Sequence, residues 1–284
     1  MDIPPPLADL ARQAVGEITS VADRSWPREN SAVWEITTAA RRRYFVKRHP
    51  APLFHEREVT AYREIVPVLG RGRTPELIAA DRNLAAIVIS GLPGEVVRGL
   101  SLSPSLELEV YRQAGGLLRR IHGVPITGPG VRGIGRLVQR CEEHLRRAEG
   151  LLHAREVAFV RACAATLSTI EPRLPVTATH GDFQPRNFLW ERRTCRLALI
   201  DFERAEPGPA VRDLVRLEYG TWDDRPELRA AFLDGYGRDL TDDEQRALTC
   251  LAGLDALSGL QWGTEHRDTE VTGRARDAFA RLMK

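Results

Sequence analysis

Several features of specialised protein classes are missing from this sequence. No apolar run approaches the roughly 18 residues that a membrane-spanning helix requires. The four cysteines lie far apart and form no Cys-x-x-Cys pair, which argues against a zinc site and against a disulfide scaffold. The first residues, Met1–Pro4, carry neither the basic region nor the apolar core of a secretory signal. We therefore expect a cytoplasmic protein with no membrane partner.

A strong net charge is also missing. The chain has 41 basic and 39 acidic residues, a net charge of +2, so we expect no nucleic-acid partner. The charge is unevenly distributed, since residues 201–270 hold 8 basic and 17 acidic residues. This acidic stretch predicts either a surface for a cationic ligand or a set of solvated helix faces.

Lysine is almost absent from the chain. Of the 41 basic residues, only Lys47 and Lys284 are lysines. Positions that need a cation have therefore nearly all accepted arginine. Because a compact ammonium and a planar guanidinium differ in geometry, Lys47 is a candidate for chemistry that arginine cannot perform. The alternative is a lysine retained by chance on a surface strand.

The order of the predicted elements indicates two lobes. The 284 residues, 43% of them hydrophobic, are enough for one large domain or two small ones. Alternating apolar positions predict strand pairs at 32–48 and 77–89, with a helix between them. The glycines and proline of Gly91–Gly94 predict a hinge. We predict an α+β fold with a β-rich lobe at residues 1–92 and a mainly helical lobe, with a short β insert, at residues 93–284.

The insert contains the most specific segment, His180–Asn187, which reads His-Gly-Asp-Phe-Gln-Pro-Arg-Asn. A second β segment follows it and ends at Asp201. Asp201 and Asn187 offer hard oxygen ligands that suit Mg²⁺. Asp182 is then left to accept a proton, and His180 can hold the loop by hydrogen bonding. The alternatives are a metal pair of a hydrolase, formed by His180 and Asp182, and a simple turn cap at Asp201.

This division of roles is what phosphoryl transfer needs. The reaction requires a metal ion on the phosphates, an oriented nucleophile and a cation on the phosphates that are not transferred. Lys47 on the small lobe supplies that cation. Glu58 on the following helix is the best-placed carboxylate to hold it, and Glu56 and Glu64 are alternatives on the same helix. The other interpretation of Lys47 and Glu58 is a surface ion pair of small value.

With these residues the chain resembles the aminoglycoside phosphotransferases, a family related to the protein kinases. The resemblance rests on six segments in the family's order, at 92–95, 115–122, 180–187, 200–203, 207–209 and 212–214. A lone His-x-Asp is a weak signal, whereas this ordered set is specific and spans most of the chain.

The resemblance implies a bilobal, protein-kinase-like fold and transfer of the γ-phosphoryl group from ATP or GTP with Mg²⁺. It implies that Asp182 is the catalytic base and that Asn187 and Asp201 bind Mg²⁺. It also implies that Lys47, paired with Glu58, contacts the α- and β-phosphates. Supporting roles are implied for His180, Arg186 and Asp213 around the catalytic loop, and for Ile89, Ser90 and Leu92 beside the purine.

One segment departs from the family. The nucleotide-covering loop, Arg24–Ala32, contains no glycine. A glycine-rich loop would let backbone amides approach the phosphates closely. We expect Asn30 and Ser31 to contact the phosphates with their side chains instead.

The acidic stretch favours a small cationic acceptor. Together with this charge, the resemblance implies an aminoglycoside or a basic peptide antibiotic. The candidate contacts are Glu203, Trp222, Asp223, Asp224, Trp262, Glu265 and Asp268, although the tryptophans can equally be core residues. Because the resemblance also covers kinases of homoserine, choline-like alcohols and sugars, a metabolite acceptor is the alternative. A catalytically inactive nucleotide-binding scaffold is a third hypothesis. A protein kinase is disfavoured, since no activation segment fits between Asp201 and Pro207. We predict a monomer.

Overall fold

The computed structural model describes residues 3–25, 32–126, 133–222 and 224–283. By its internal contacts the chain divides into two compact units. The first comprises residues 1–102 and 180–206, and the second comprises the remainder. Within the described parts of the chain, every helix is too short or too polar to span a bilayer.

A five-stranded antiparallel sheet forms the centre of the first unit. Its strands are β1 (Ile18–Asp23), β2 (Ala32–Thr38), β3 (Arg43–Arg48), β4 (Leu77–Asp81) and β5 (Ala86–Ser90). They follow the order β1-β2-β3-β5-β4, so β3 is the middle strand. Successive side chains of a strand point to opposite faces. Val46 and Lys47 therefore lie on different sides of this sheet.

Two helices accompany the sheet, α1 (Pro5–Val15) and α2 (Pro52–Glu64). Each begins with proline in its first turn, where the fixed φ and the missing N–H cause no loss. On one face, Leu7 and Ala11 of α1 join a buried cluster that includes Val46. This cluster fixes β3 in the sheet and leaves Lys47 on the other face.

A three-stranded sheet in the same unit carries the segment His180–Asn187. Its strands are β6 (Glu95–Val96), β8 (Phe188–Glu191) and β9 (Arg196–Leu199), in the order β6-β8-β9. β8 and β9 pair antiparallel with Phe188 opposite Leu199. The residues just before β8 and just after β9 therefore lie at the same end of this hairpin. There the N–H of Ile200 donates to the carbonyl of Asn187 at 3.0 Å.

The second unit is mainly helical. Its helices are α3 (Pro104–His122), α4 (Gly133–Arg147), α5 (Ala154–Ile170), α6 (Pro226–Tyr236), α7 (Asp242–Glu265) and α8 (Thr269–Leu282). Two short strands, β7 (Val176–Thr179) and β10 (Glu206–Pro209), pair with each other. Gly115 allows α3 and α6 to approach closely, since a Cβ at this position would lie only 2.0 Å from a backbone oxygen of α6. Short turns of 3₁₀ or π helix lie in the first unit at Val66–Leu69 and Pro185–Asn187. In the second unit they lie at Glu171–Arg173, Ala210–Leu214 and Leu217–Thr221.

The predicted α+β class is confirmed, with an antiparallel sheet near the N-terminus and a larger helical part. Three strands escape prediction, and one of them, β6, has only two residues. β1 lies at the sheet edge with mostly exposed side chains, so it lacks the alternation that marks a half-buried strand. β10 reads Glu-Pro-Gly-Pro, and proline is tolerated there because a two-stranded sheet has only edge strands. The lobe boundary after residue 92 stays a prediction.

Candidate active site

The middle strand and α2 together place a buried ion pair in the first unit. Lys47 on β3 lies 2.9 Å from the carboxylate of Glu58 on α2. The Glu58 side chain is 1% exposed and that of Lys47 is 11% exposed. A pair this deeply buried differs from an exposed surface ion pair, which contributes little to stability. Glu56, one of the two alternatives, pairs instead with the exposed Arg82 at 2.7 Å.

Lys47 also contacts the segment that follows β9. Its ammonium nitrogen lies 2.5 Å from Asp201 Oδ1 and 2.9 Å from Glu203 Oε2. Burial by itself lowers the pKa of Lys47, but the three carboxylates outweigh burial and raise that pKa well above its ordinary value. The side chain therefore stays a cation. Its three N–H groups match the three carboxylates around it.

The backbone at Asp201 is in the left-handed region, with φ of +68°. Aspartate and asparagine tolerate this conformation better than other non-glycine residues. The next residue, Phe202, donates its N–H to Glu58 Oε1 at 3.3 Å. Arg57 of α2 pairs with Glu206. Helix α2 is thus joined to the 201–206 segment at two points besides Lys47.

The loop at His180–Asn187 holds Asp182 with three side-chain donors. Gln184, Arg186 and Asn187 approach its carboxylate at 2.5, 2.7 and 2.9 Å. Asp182 is buried, at 3% exposure. The donors lie two, four and five residues away, so the loop fixes its own carboxylate by local contacts. Arg186 contacts Asp182 directly, and its supporting role in catalysis stays a prediction.

Gly181 explains why the loop reads His-Gly-Asp. Its φ is +77°, and a Cβ would lie 2.0 Å from the carbonyl oxygen of Arg204. Only glycine satisfies both the conformation and this close approach. His180 packs its ring on Phe202, with 4.6 Å between centroids, and its Nε2 lies 3.2 Å from the carbonyl of Ile200. The loop is therefore packed directly on the segment that carries Asp201.

The oxygen ligands predicted for Mg²⁺ lie at one end of the β8–β9 hairpin. The amide nitrogen of Asn187 donates to the backbone carbonyl and the carboxylate of Asp182. These two bonds fix the amide orientation and leave the oxygen of Asn187 as its ligating atom. Ile200, next to Asp201, bonds the backbone of Asn187. A carboxylate oxygen and an amide oxygen are both ligands that suit a hard cation.

A second group of possible metal ligands lies nearby but already contains a cation. His49, Glu58 and Glu203 offer ligand atoms within 4.8 Å of one another. The ammonium of Lys47 contacts both carboxylates at 2.9 Å. A metal ion there would meet that fixed positive charge, so the geometry assigns these carboxylates to Lys47.

The structure describes only some of the other residues that were predicted to contact the nucleotide. Asn30 and Ser31 lie outside the described residues. The N–H and hydroxyl of Ser90 bond the backbone of Glu76, and the carbonyl of Leu92 accepts from Arg43 at 2.8 Å. Ile89 is opposite Phe45 in the sheet. Purine contacts by these residues stay a prediction.

The predicted supporting residue Asp213 lies in the second unit. His122 Nε2 is 3.2 Å from its carboxylate, and His122 Nδ1 is 2.8 Å from the hydroxyl of Tyr236. The side chains of His122 and Asp213 are both almost fully buried. His122, which the sequence left without a role, thus holds Asp213 in place.

The acceptor candidates are distributed over both units. Glu203 contacts Lys47, and Trp222 is a core residue packed on Phe232 with 4.9 Å between ring centroids. In the second unit, Trp262 stacks on His266, Glu265 pairs with Arg147 at 3.1 Å and Asp268 caps the start of α8. Asp224 is exposed, and Asp223 lies outside the described residues. Acceptor contacts by these residues stay predictions.

Much of the acidic stretch is neutralised by arginines. Pairs at 2.6 to 2.9 Å join Asp243 to Arg173, Glu244 to Arg238, Glu218 to Arg229 and Asp234 to Arg112. Because Arg112 and Arg173 come from outside residues 201–270, the negative field of that stretch is smaller than its own composition indicates. A cationic acceptor has fewer carboxylates available than the sequence suggests.

Two residues of the site escape sequence reasoning. Gln184 lies within the motif and could have been found from its spacing to Asp182. His49 Nε2 lies 2.6 Å from Glu58 Oε2, a contact across nine residues that no local pattern marks.

Solved structures with this fold include phosphotransferases. The GDP complex of wild-type aminoglycoside 2'-phosphotransferase-IIIa is 14% identical, with a TM-score of 0.75 over 97% of this chain and 96% of that one. The streptomycin–ATP complex of APH(2")-IIa is 14% identical, with a TM-score of 0.72 over 99% and 97%. A choline/ethanolamine kinase family protein from Mesorhizobium loti is 19% identical, with a TM-score of 0.70 over 98% and 94%.

These likenesses show the fold and confirm the protein-kinase-like architecture. No protein of curated function matches the chain significantly in sequence. The model of the APH phosphotransferase enzyme family matches residues 24–249. Because this match covers most of the chain, the protein belongs to the phosphotransferase enzyme family, as its motifs predict.

Proposed function

We propose that this protein transfers the γ-phosphoryl group of ATP or GTP to a hydroxyl of a small cationic molecule, with Mg²⁺. One observation carries the proposal. The first unit joins a buried ammonium at Lys47, oxygen ligands at Asp201 and Asn187, and a fixed carboxylate at Asp182. These are the parts that phosphoryl transfer requires, and all of them are present. An inactive scaffold has no support from this arrangement.

Asp201 and Asn187 would hold the Mg²⁺ ion. When bound, such an ion neutralises charge on the phosphates and fixes their orientation. The amide of Asn187 is already oriented by its bonds to Asp182. The backbone of Asp201 is fixed by its left-handed conformation and by the contact of Phe202 with Glu58. Little reorganisation of these side chains is then needed.

Asp182 orients the acceptor hydroxyl and accepts its proton. Its carboxylate is held by Gln184, Arg186 and Asn187, which limits its rotation. An oriented carboxylate lowers the entropic cost of bringing the nucleophile into line. Lys47 contacts the phosphates that are not transferred, with Glu58 behind it.

Lys47→Arg is expected to fold normally and lose about 10²-fold in kcat/KM for the nucleotide, since a displacement near 1 Å costs about that much. The planar guanidinium cannot satisfy three carboxylates from one compact point. Steady-state kinetics and a melting curve measure both properties. The reverse exchange at its exposed neighbour, Arg48→Lys, is the control and should change neither. Wild-type kcat/KM in Lys47→Arg would contradict the role of Lys47.

The acceptor is proposed to be an aminoglycoside or a basic peptide antibiotic. The support is the acidic composition of residues 201–270, reduced by the arginine pairs described above, and the fold shared with the streptomycin complex. A second candidate is a choline-like alcohol, favoured by the likeness to the choline/ethanolamine kinase family protein. Both acceptors are cations, but they differ in the number of positive charges. The cytoplasmic location and the monomeric state stay predictions.

A polycationic acceptor should lose affinity in salt. Exposed charges act over roughly 8–10 Å at ordinary ionic strength, so we expect the acceptor KM to rise several-fold between about 0.05 and 0.3 M salt. Asp224→Asn should raise the same KM and leave the nucleotide KM unchanged. Asp239→Asn, at another exposed position, is the matched control. An acceptor KM that is indifferent to salt would contradict a polycationic acceptor and leave the kinase function standing.

One experiment tests the function as a whole. Nucleotide consumption is measured with Mg²⁺ and a panel of aminoglycosides, basic peptide antibiotics, choline, ethanolamine, homoserine and sugars. We expect turnover that depends on one cationic class. Binding of nucleotide without acceptor-dependent turnover across the panel would favour a scaffold. Turnover with a neutral acceptor would keep the enzyme and replace its substrate.

A further inference from the structure

We propose that His49 is a positioning residue for the nucleotide site, acting through Glu58 on Lys47. The inference rests on the phosphotransferase function proposed above. His49 follows β3, and its side chain is 0% exposed. Its Nε2 lies 2.6 Å from Glu58 Oε2, and its Nδ1 lies 3.0 Å from the carbonyl oxygen of Ala85. The ring therefore bridges the sheet and α2.

Glu58 receives donors from three directions. The Lys47 ammonium and His49 share Oε2, while the Phe202 N–H reaches Oε1. Burial by itself raises the pKa of Glu58, but the charge of Lys47 and the hydrogen bond from His49 outweigh it and lower that pKa. Glu58 is thus ionised and can only accept, so His49 must supply the proton on Nε2.

His49 is itself rigidly anchored. Its backbone N–H donates to the carbonyl of Ala85 at 2.9 Å, and its side chain is 0% exposed. The position of Glu58 is therefore set from the sheet by a donor other than Lys47. Lys47 divides its N–H groups among three carboxylates and would also face the phosphates. A separate donor keeps Glu58 in place while Lys47 serves the nucleotide.

His55 provides an internal comparison. It lies on α2, is 4% exposed, and its ring is 5.6 Å from that of His49. Within the described residues, no hydrogen bond joins it to Glu58 or Lys47. A substitution at His55 alters the packing against the His49 ring but removes no hydrogen bond to the Glu58 carboxylate.

Substitution of His49 by glutamine or by asparagine distinguishes the roles of its two ring nitrogens. The amide nitrogen of glutamine reaches about as far as Nε2 and can still donate to Glu58, whereas that of asparagine matches Nδ1 and cannot. We expect His49→Asn to weaken Mg²⁺–nucleotide binding and kcat/KM for the nucleotide by about 10- to 100-fold. His49→Gln should retain most of both. The acceptor KM should stay unchanged in each variant, and His55→Asn should behave as wild type.

Calorimetric titration of each variant with Mg²⁺ and a non-hydrolysable nucleotide measures affinity without turnover, and melting curves follow the fold. In a Glu58→Gln background, His49→Asn should cause little further loss, because its effect passes through Glu58. Equal losses in His49→Asn and His49→Gln, or the same loss in His55→Asn, would overturn the inference alone. A wild-type protein that binds no nucleotide would overturn the proposed function and this inference with it.

Discussion

Asp182→Asn is expected to keep nucleotide binding and lose about 10²–10⁴-fold in kcat, the usual contribution of a general base. The carboxylate accepts from Gln184, Arg186 and Asn187. An amide keeps the shape of the side chain, but it cannot take the acceptor proton, and its NH₂ group faces donors. Turnover is measured with saturating nucleotide and acceptor, and nucleotide affinity is measured by titration.

The same substitution at Asp9 serves as the control. Asp9 lies on α1 and pairs with Arg12 at an exposed position, so Asp9→Asn should have wild-type kcat. A melting curve of Asp182→Asn shows whether a loss of activity comes from misfolding of the loop or from the missing catalytic base. If folded Asp182→Asn turns over at a near-normal rate, Asp182 is not the catalytic base.

Asp201→Asn is expected to lose about 10³-fold or more in Mg²⁺-dependent kcat/KM, because metal ions supply several kcal/mol of charge stabilisation. Asparagine is chosen because it tolerates the φ of +68° at this position, whereas alanine would add backbone strain. The substitution removes one ligand charge and one partner of Lys47. Kinetics over a range of Mg²⁺ concentrations is the measurement.

Extra Mg²⁺ should partly restore the Asp201→Asn variant, since a weakened site needs more metal to fill. Asp81→Asn, at the end of β4, is a matched control in the same unit and should follow the wild-type metal dependence. A variant with wild-type activity at every Mg²⁺ concentration would exclude Asp201 as a ligand.

The sequence by itself determined the features that depend on neighbouring residues. The loop at His180–Asn187 places three donors on Asp182 from positions two to five residues away, so its chemistry is readable as a motif. Gly181 is required by its φ of +77°, a local demand of the backbone. The alternation that predicts β3 also separates Val46 from Lys47 on the two faces of the sheet.

Contacts between distant residues were decided only by the tertiary structure. Lys47 and Glu203 are far apart in sequence, and the 2.9 Å contact between them forms only when the chain folds. His49 acquires its place beside Glu58 because α2 packs on that face of the sheet. The acidic stretch loses much of its field because folding brings arginines from elsewhere in the chain, such as Arg173, to its carboxylates. Coulomb energy depends on distance in space, which a count of charges along the chain does not contain.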